Sequence, residues 1–88
     1  MIYKIIIVHE KKIAKDFSKL SKKDQVLIKQ KINELKKMWI THTQVKQLQN
    51  YVLADYRLRV WKYRILFDID LSNKTIYIFR ILHRSKLY

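Results

Sequence analysis

The spacing of apolar positions changes twice along the chain, and each change marks a different kind of element. Residues 2–8 are mostly apolar, with Ile5, Ile6, Ile7 and Val8 in an unbroken run. β-branched side chains favour extended backbone, so this stretch reads as a first strand, although the pattern does not name its partner. From about Lys11 the spacing becomes helical: Ile13, Phe17 and Leu20 fall at i, i+4 and i+7, one face of a short helix with lysines on the other. Ser21 suits an N-cap, and Asp24, three residues on, suits the acid of a capping box. The helix that follows runs to about Met38. Ile28, Ile32, Leu35 and Trp39 form its buried stripe, and Lys36 and Lys37 sit at the negative end of its dipole. Two amphipathic helices joined by a tight connection predict a helical hairpin lying on a sheet.

Ile40-Thr41-His42-Thr43 reads as loop, Val45–Leu48 as a short strand, and the residues up to 55 as irregular. Beyond them the period becomes two. Tyr56, Leu58 and Val60 alternate with Arg57 and Arg59; after a turn at Trp61-Lys62, Tyr63, Ile65, Phe67 and Ile69 alternate with Arg64, Leu66 and Asp68. Ser72-Asn73-Lys74 makes the next turn, and Thr75–Leu82 is a strand rich in Ile, Tyr and Phe. Strands joined by short turns form an antiparallel meander. The fold class is therefore α+β: an N-terminal strand, a helical hairpin, then a three- to four-stranded, mainly antiparallel sheet. The helices should cover one face of that sheet and leave the other open. The chain has neither glycine nor proline, so its tight turns are expected to place Asn, Asp or Lys at positive φ.

Composition narrows the function. The 88 residues make one domain, 1–88, and the 49% apolar content suits a globular chain. Without cysteine there is no disulfide framework and no thiolate chemistry. Without glycine there is no P-loop or dinucleotide fingerprint. His9, His42 and His83 have no zinc-ligand spacing, so no metal and no cofactor are expected. The apolar N-terminal run is too short to span a bilayer, and no membrane partner and a cytoplasmic location are expected.

Charge is the strongest global feature, with 20 basic residues against 7 acidic ones for a net of +13. A field of that size draws polyanions. The two cation types are also segregated: Arg57, Arg59, Arg64, Arg80 and Arg84 all follow residue 56, while most lysines precede residue 50. Arginine presents a planar fork matched to phosphate oxygens, whereas lysine is a hydrated point charge. Arg59 and Arg64 come opposite one another across the Trp61-Lys62 turn, with Arg57 one step along the same face. Like charges on neighbouring strands repel, a poor choice for stability and a good one for binding an anion. The tail His83-Arg84-Ser85-Lys86-Leu87-Tyr88 gathers imidazole, guanidinium, ammonium and phenol groups just beyond the last strand. Attack of an RNA 2′-hydroxyl on its own phosphate needs a base, cations to neutralise the phosphorane, and an acid for the leaving oxygen. The strand arginines and the tail groups are expected to converge on one exposed patch.

Five segments together carry a family likeness: Ala14-Lys15-Asp16-Phe17-Ser18-Lys19-Leu20, Val45-Lys46-Gln47-Leu48, Tyr56-Arg57-Leu58-Arg59-Val60, Tyr63-Arg64-Ile65-Leu66-Phe67 and His83-Arg84-Ser85-Lys86-Leu87-Tyr88. In this order, across nearly the whole chain, they resemble the RelE/ParE toxin superfamily. The resemblance implies a RelE-like fold, metal-independent cleavage of messenger RNA on the ribosome, and inhibition by a cognate acidic antitoxin. It casts Arg57, Arg64, His83, Arg84 and Tyr88 as catalytic residues. Arg57 would contact the scissile phosphate and Arg64 the transition-state charge. His83 would serve as acid or base, and Tyr88 would position the nucleotide or act as base. Lys46, Arg59, Trp61, Lys62 and Lys86 are the expected RNA contacts. Trp61 and Gln49 stand where the family usually has glycine, and Trp61 offers a surface on which a base could stack. Two other readings use the same fold: a ParE-like poison of DNA gyrase, and a catalytically silent antitoxin-binding module.

Overall fold

The computed structural model describes residues 2–39 and 44–86. The elements run β1 (Lys4–Ile7), α1 (Glu10–Ser18), α2 (Lys22–Met38), β2 (Val45–Gln47), β3 (Tyr56–Val60), β4 (Tyr63–Asp70) and β5 (Thr75–His83), closed by a 3₁₀ turn over Arg84–Lys86. One five-stranded sheet has the order β1-β5-β4-β3-β2. β3, β4 and β5 form the expected antiparallel meander, with β2 antiparallel to β3 on one flank. The partner of β1, which the pattern left open, is β5: the two run parallel, Lys4 opposite Thr75 through Ile7 opposite Ile78. The helical hairpin carries the chain from β1 to β2 at the opposite edge of the sheet, and the meander then returns β5 to lie beside β1.

The core lies between this sheet and the helices. Ile28 and Leu35 of α2 are fully buried against Leu58, Ile65, Phe67, Ile76 and Ile78, with Ile32, Trp39 and Phe17 half-buried around them. Ser21 caps α2 as its sequence predicts, accepting the Asp24 N–H at 3.1 Å. Asp24 departs from the capping-box role: its carboxylate instead accepts the Tyr63 hydroxyl at 3.0 Å. Tyr63 is only 9% exposed, and a buried phenol needs an acceptor. Burial first, then the bond to Asp24 and its charge, raise the Tyr63 pKa above 10.0.

Two expectations are corrected. The face of the sheet away from the helices is only partly open, because the segment before β3 folds back over it. Ala54 packs on fully buried Leu66, with Leu48, Tyr51, Phe79 and Leu82 around them. Asp55 anchors that segment by donating its N–H to Asp68. Burial, reinforced by the Asp55 charge, raises the Asp68 pKa although that N–H bond opposes it. Among the turns, Asn50 (φ 58°) and Lys74 (φ 51°) take positive φ as expected, but the β3–β4 turn places Trp61 there, at φ 57°. The expected loop Ile40–Thr43 and the tail residue Tyr88 lie outside the described residues.

Candidate functional site

The β3–β4 hairpin builds the site. Its register sets Arg59 directly opposite Arg64, and the β2–β3 register sets Lys46 opposite Arg57. On β3, Leu58 and Val60 face the helices and are buried, so Arg57 and Arg59 stand on the other face. Arg59 has its own support: Gln44 Oε1 accepts from Arg59 Nε at 2.9 Å, while the Gln44 carbonyl accepts the Arg59 backbone N–H at 3.0 Å. Arg64 donates through Nη1 to the carbonyls of Trp61 at 3.3 Å and Tyr63 at 3.0 Å. These two bonds fold its guanidinium back over the turn.

Arg59, Arg64 and Arg84 line one recess of about 420 Å³ together with Lys31, Gln44, Trp61, Leu27 and Val60. Arg84 arrives there because its backbone N–H donates to the Lys62 carbonyl at 2.8 Å, which ties the 3₁₀ turn to the hairpin. A smaller recess of about 300 Å³ adjoins it, lined by Lys46, Arg57, Val45 and the shared Gln44 and Arg59. No carboxylate is among the described residues lining either recess. Among the described residues, Arg57, Arg59 and Arg84 make no ion pair. Trp61 is 74% exposed at the rim. Guanidinium groups with no carboxylate among the described lining residues, bordered by an exposed indole, can take phosphate oxygens on their forks and a base on the ring.

The tail divides. His83 pairs with Tyr63 in the β4–β5 register, and the two rings meet edge-on at 6.0 Å. Tyr63 belongs to the helix-side core, so the His83 ring lies on the side of the sheet away from Arg57 and Arg59. With Lys86 it lines a separate recess of about 320 Å³, together with Asp16, Lys19, Leu20, Tyr63, Arg80, Ile81 and Leu82. The expected single patch is therefore not formed. Arg84 joins the strand arginines, whereas His83 and Lys86 do not, because strand alternation sends residue 83 to the opposite face from Arg64. Lys62 is exposed in the turn, its Nζ 5.7 Å from the Tyr63 ring centre.

Sequence reasoning missed the second role in this region. Arg80 is spent on Asp16: Nε donates to Oδ2 at 2.8 Å and Nη2 to Oδ1 at 2.9 Å, while the Ile81 N–H adds a third bond to Oδ2 at 3.0 Å. Burial works against the Asp16 charge, but these bonds, with attraction from Arg80 and Lys19, hold its carboxyl below the usual value of 3.8. A signal was present, since an acid three residues after Ile13 sits on the apolar face of α1, where only a paired charge is tolerated. Gln44 carried no such signal.

The family model for the ParE toxin of type II toxin-antitoxin systems matches residues 7–88. No curated protein sequence matches the chain. Among solved structures, a chain of the toxin-antitoxin complex RelBE2 of Mycobacterium tuberculosis is 21% identical, with a TM-score of 0.78 over 96% of this chain and 100% of that one. A chain of the archaeal RelE-RelB complex of Pyrococcus horikoshii is 22% identical, with a TM-score of 0.78 over 98% and 99% of the two chains. A chain of the RelB-RelE complex of Methanococcus jannaschii is 25% identical, with a TM-score of 0.71 over 94% of each.

Proposed function

The chain belongs to the ParE toxin family of type II toxin-antitoxin systems, within the RelE/ParE superfamily, and on that premise we propose that it cleaves messenger RNA on the ribosome. The observation that carries this reading is the recess shared by Arg59, Arg64 and Arg84 beside exposed Trp61, with no carboxylate among its described lining residues.

In the proposed reaction a ribose 2′-hydroxyl attacks the adjacent phosphorus. The proton leaves to a base, the phosphorane collects negative charge on its equatorial oxygens, and the bond to the 5′-oxygen breaks as that oxygen takes a proton from water. The products are a 2′,3′-cyclic phosphate and a 5′-hydroxyl. Arg64, held from behind by two carbonyls, and Arg59, held by Gln44, meet the developing charge without having to reorganise, the condition under which electrostatic stabilisation is strongest. Arg84 adds a third guanidinium, and Arg57 with Lys46 takes the neighbouring phosphate. Trp61 stacks a base. The family likeness gives Tyr88 the part of positioning the nucleotide or acting as the base. His83 is left out of this step, since its ring lies on the other side of the sheet.

The partner in this reading is a cognate acidic antitoxin, consistent with the complexes in which the similar chains were solved and with the net charge of +13. It would lay an amphipathic acidic segment over the arginine face and fold as it binds. No helix among the described residues is long and apolar enough to cross a membrane, and the proposed place of action is the cytoplasm.

Primer extension on messenger RNA after induction tests the reading. Discrete cuts in translated regions are expected with the natural chain and none with Arg64→Ala. The matching family model is itself one of ParE toxins, which favours gyrase poisoning as the second reading. Uncut messages together with inhibited supercoiling would establish that alternative.

A further inference from the structure

The recess on the far side of the sheet holds anion-binding groups of its own. β1 pairs with β5 only as far as Ile78, so the outer edge of β5 beyond that point meets side chains from α1 instead of a strand. Lys19, Lys86, Arg80 and His83 line the space there, and Asp16 is the one carboxylate among the described lining residues. That carboxylate is already engaged by two Arg80 nitrogens and the Ile81 N–H, and its side chain is only 5% exposed. It therefore does little to repel an incoming anion. Arg80 uses one edge of its fork on Asp16 and keeps its remaining N–H groups.

The tautomer of His83 follows from its own neighbours. The Ser85 backbone N–H donates to His83 Nδ1 at 3.2 Å, and Ser85 Oγ lies 2.8 Å from the same nitrogen. A backbone N–H can only donate, so Nδ1 is unprotonated and the ring proton of neutral imidazole sits on Nε2. The side chain is thereby prepared to donate a hydrogen bond and unprepared to accept a proton at Nε2. A ring N–H in a recess shared with two lysines and a guanidinium that keeps free N–H groups belongs to a set of donors that binds an oxyanion.

We propose that the recess between the C-terminal end of α1 and the β5–3₁₀ junction is a phosphate site, in which His83 Nε2–H, Lys19, Lys86 and Arg80 hold the oxygens of a phosphate group. The site is distinct from the arginine recess and does not depend on what that recess does. Its phosphate comes either from an RNA backbone passing behind the tail or from a free phosphate monoester.

The test uses the full chain, isotopically labelled, and inorganic phosphate titrated at constant ionic strength. Saturable shifts are expected in the His83 imidazole and in the Ser85 and Lys86 amides. Lys19→Gln/Lys86→Gln should weaken phosphate binding about a hundredfold, roughly tenfold for each of the two charge-assisted contacts removed. Lys11→Gln/Lys12→Gln, with the same charge removed from exposed α1 positions outside the recess, should leave it unchanged. Added oligoribonucleotide that displaces the phosphate assigns the site to RNA, and phosphate retained in its presence assigns it to a free monoester. Non-saturable shifts, or equal weakening in the two double variants, would mean that phosphate senses only the general positive field, and the site would be refuted. None of these readouts involves RNA cleavage, so a failure here leaves the nuclease reading standing, and the reverse.

Discussion

Replacing Asp16 by Asn probes the contact that fastens the hairpin to the end of the sheet. The substitution keeps the size of the side chain and one acceptor oxygen, but removes the charge that receives two bonds from Arg80 and one from the Ile81 N–H. Hydrogen bonds to charged groups contribute about 1.5–3 kcal/mol each, and removing one member of a buried pair costs about 3–5 kcal/mol. Arg80 is 27% exposed and can recover water once released, which places the net loss nearer 2–3 kcal/mol. A domain of this size loses about 4–8 °C of Tm per kcal/mol, so the melting temperature at pH 7 should fall by about 10–20 °C. The pH dependence supplies an internal control. The Asp16 pKa is lowered in the folded chain, so its contribution is fully present above the ordinary value of 3.8. It is lost as pH falls through the lower folded value. The gap between natural and Asn chains should therefore close in acid. Calorimetry across pH measures both. A fall of less than about 3 °C at pH 7, or a gap of constant size down to acid pH, would refute the reasoning, since about half a kcal/mol is what a peripheral contact gives.

Trp61→Gly should raise stability and lower RNA affinity together. A non-glycine residue at φ 57° costs about 1–2 kcal/mol, partly offset by the unfolded-state entropy of glycine, so chemical denaturation should show a gain of about 0.5–1 kcal/mol. Loss of the stacking ring should weaken single-stranded RNA binding by about 1–3 kcal/mol per base, read by fluorescence anisotropy. Tyr63→Phe removes the bond to Asp24 and should cost about 1 kcal/mol at neutral pH, measured in urea. Because the Tyr63 pKa is raised above 10.0, the natural chain loses stability as pH climbs from there through the folded value. The Phe chain should lose less over the same range. RNA binding by the natural chain should fall steeply with salt, by roughly 0.7 in the log–log slope per single-strand phosphate; a flat response contradicts the arginine recess as its site.

What was legible in the sequence was what local periodicity controls. The β3–β4 register followed from alternation and turn length alone, and Arg59 stands opposite Arg64 as the spacing requires. The α2 stripe and the Ser21 cap followed from helical spacing and local hydrogen-bonding chemistry. Long-range partners were not legible. The parallel pairing of β1 with β5 is made across most of the chain, and nothing in residues 4–7 encodes it. The Asp16–Arg80 pair joins residues 64 positions apart. The divided tail shows a finer limit. The placement of His83 depends on strand parity, and the shift in register at Leu66/Phe67 changes that count along β5 without any glycine or proline to announce it. The cover over Leu66 was missed for a related reason. Leu48, Tyr51 and Ala54 fall three apart, a spacing that belongs to neither a strand nor a regular α-helix, so an irregular segment hid a second small core.

The most direct measurement is the chemistry of the RNA ends produced in a purified translation system. The natural chain should leave a 2′,3′-cyclic phosphate on one fragment and a 5′-hydroxyl on the other, and Arg64→Met should leave the message whole. Intact messages with the natural chain, alongside inhibition of gyrase in a parallel supercoiling reaction, would contradict the account.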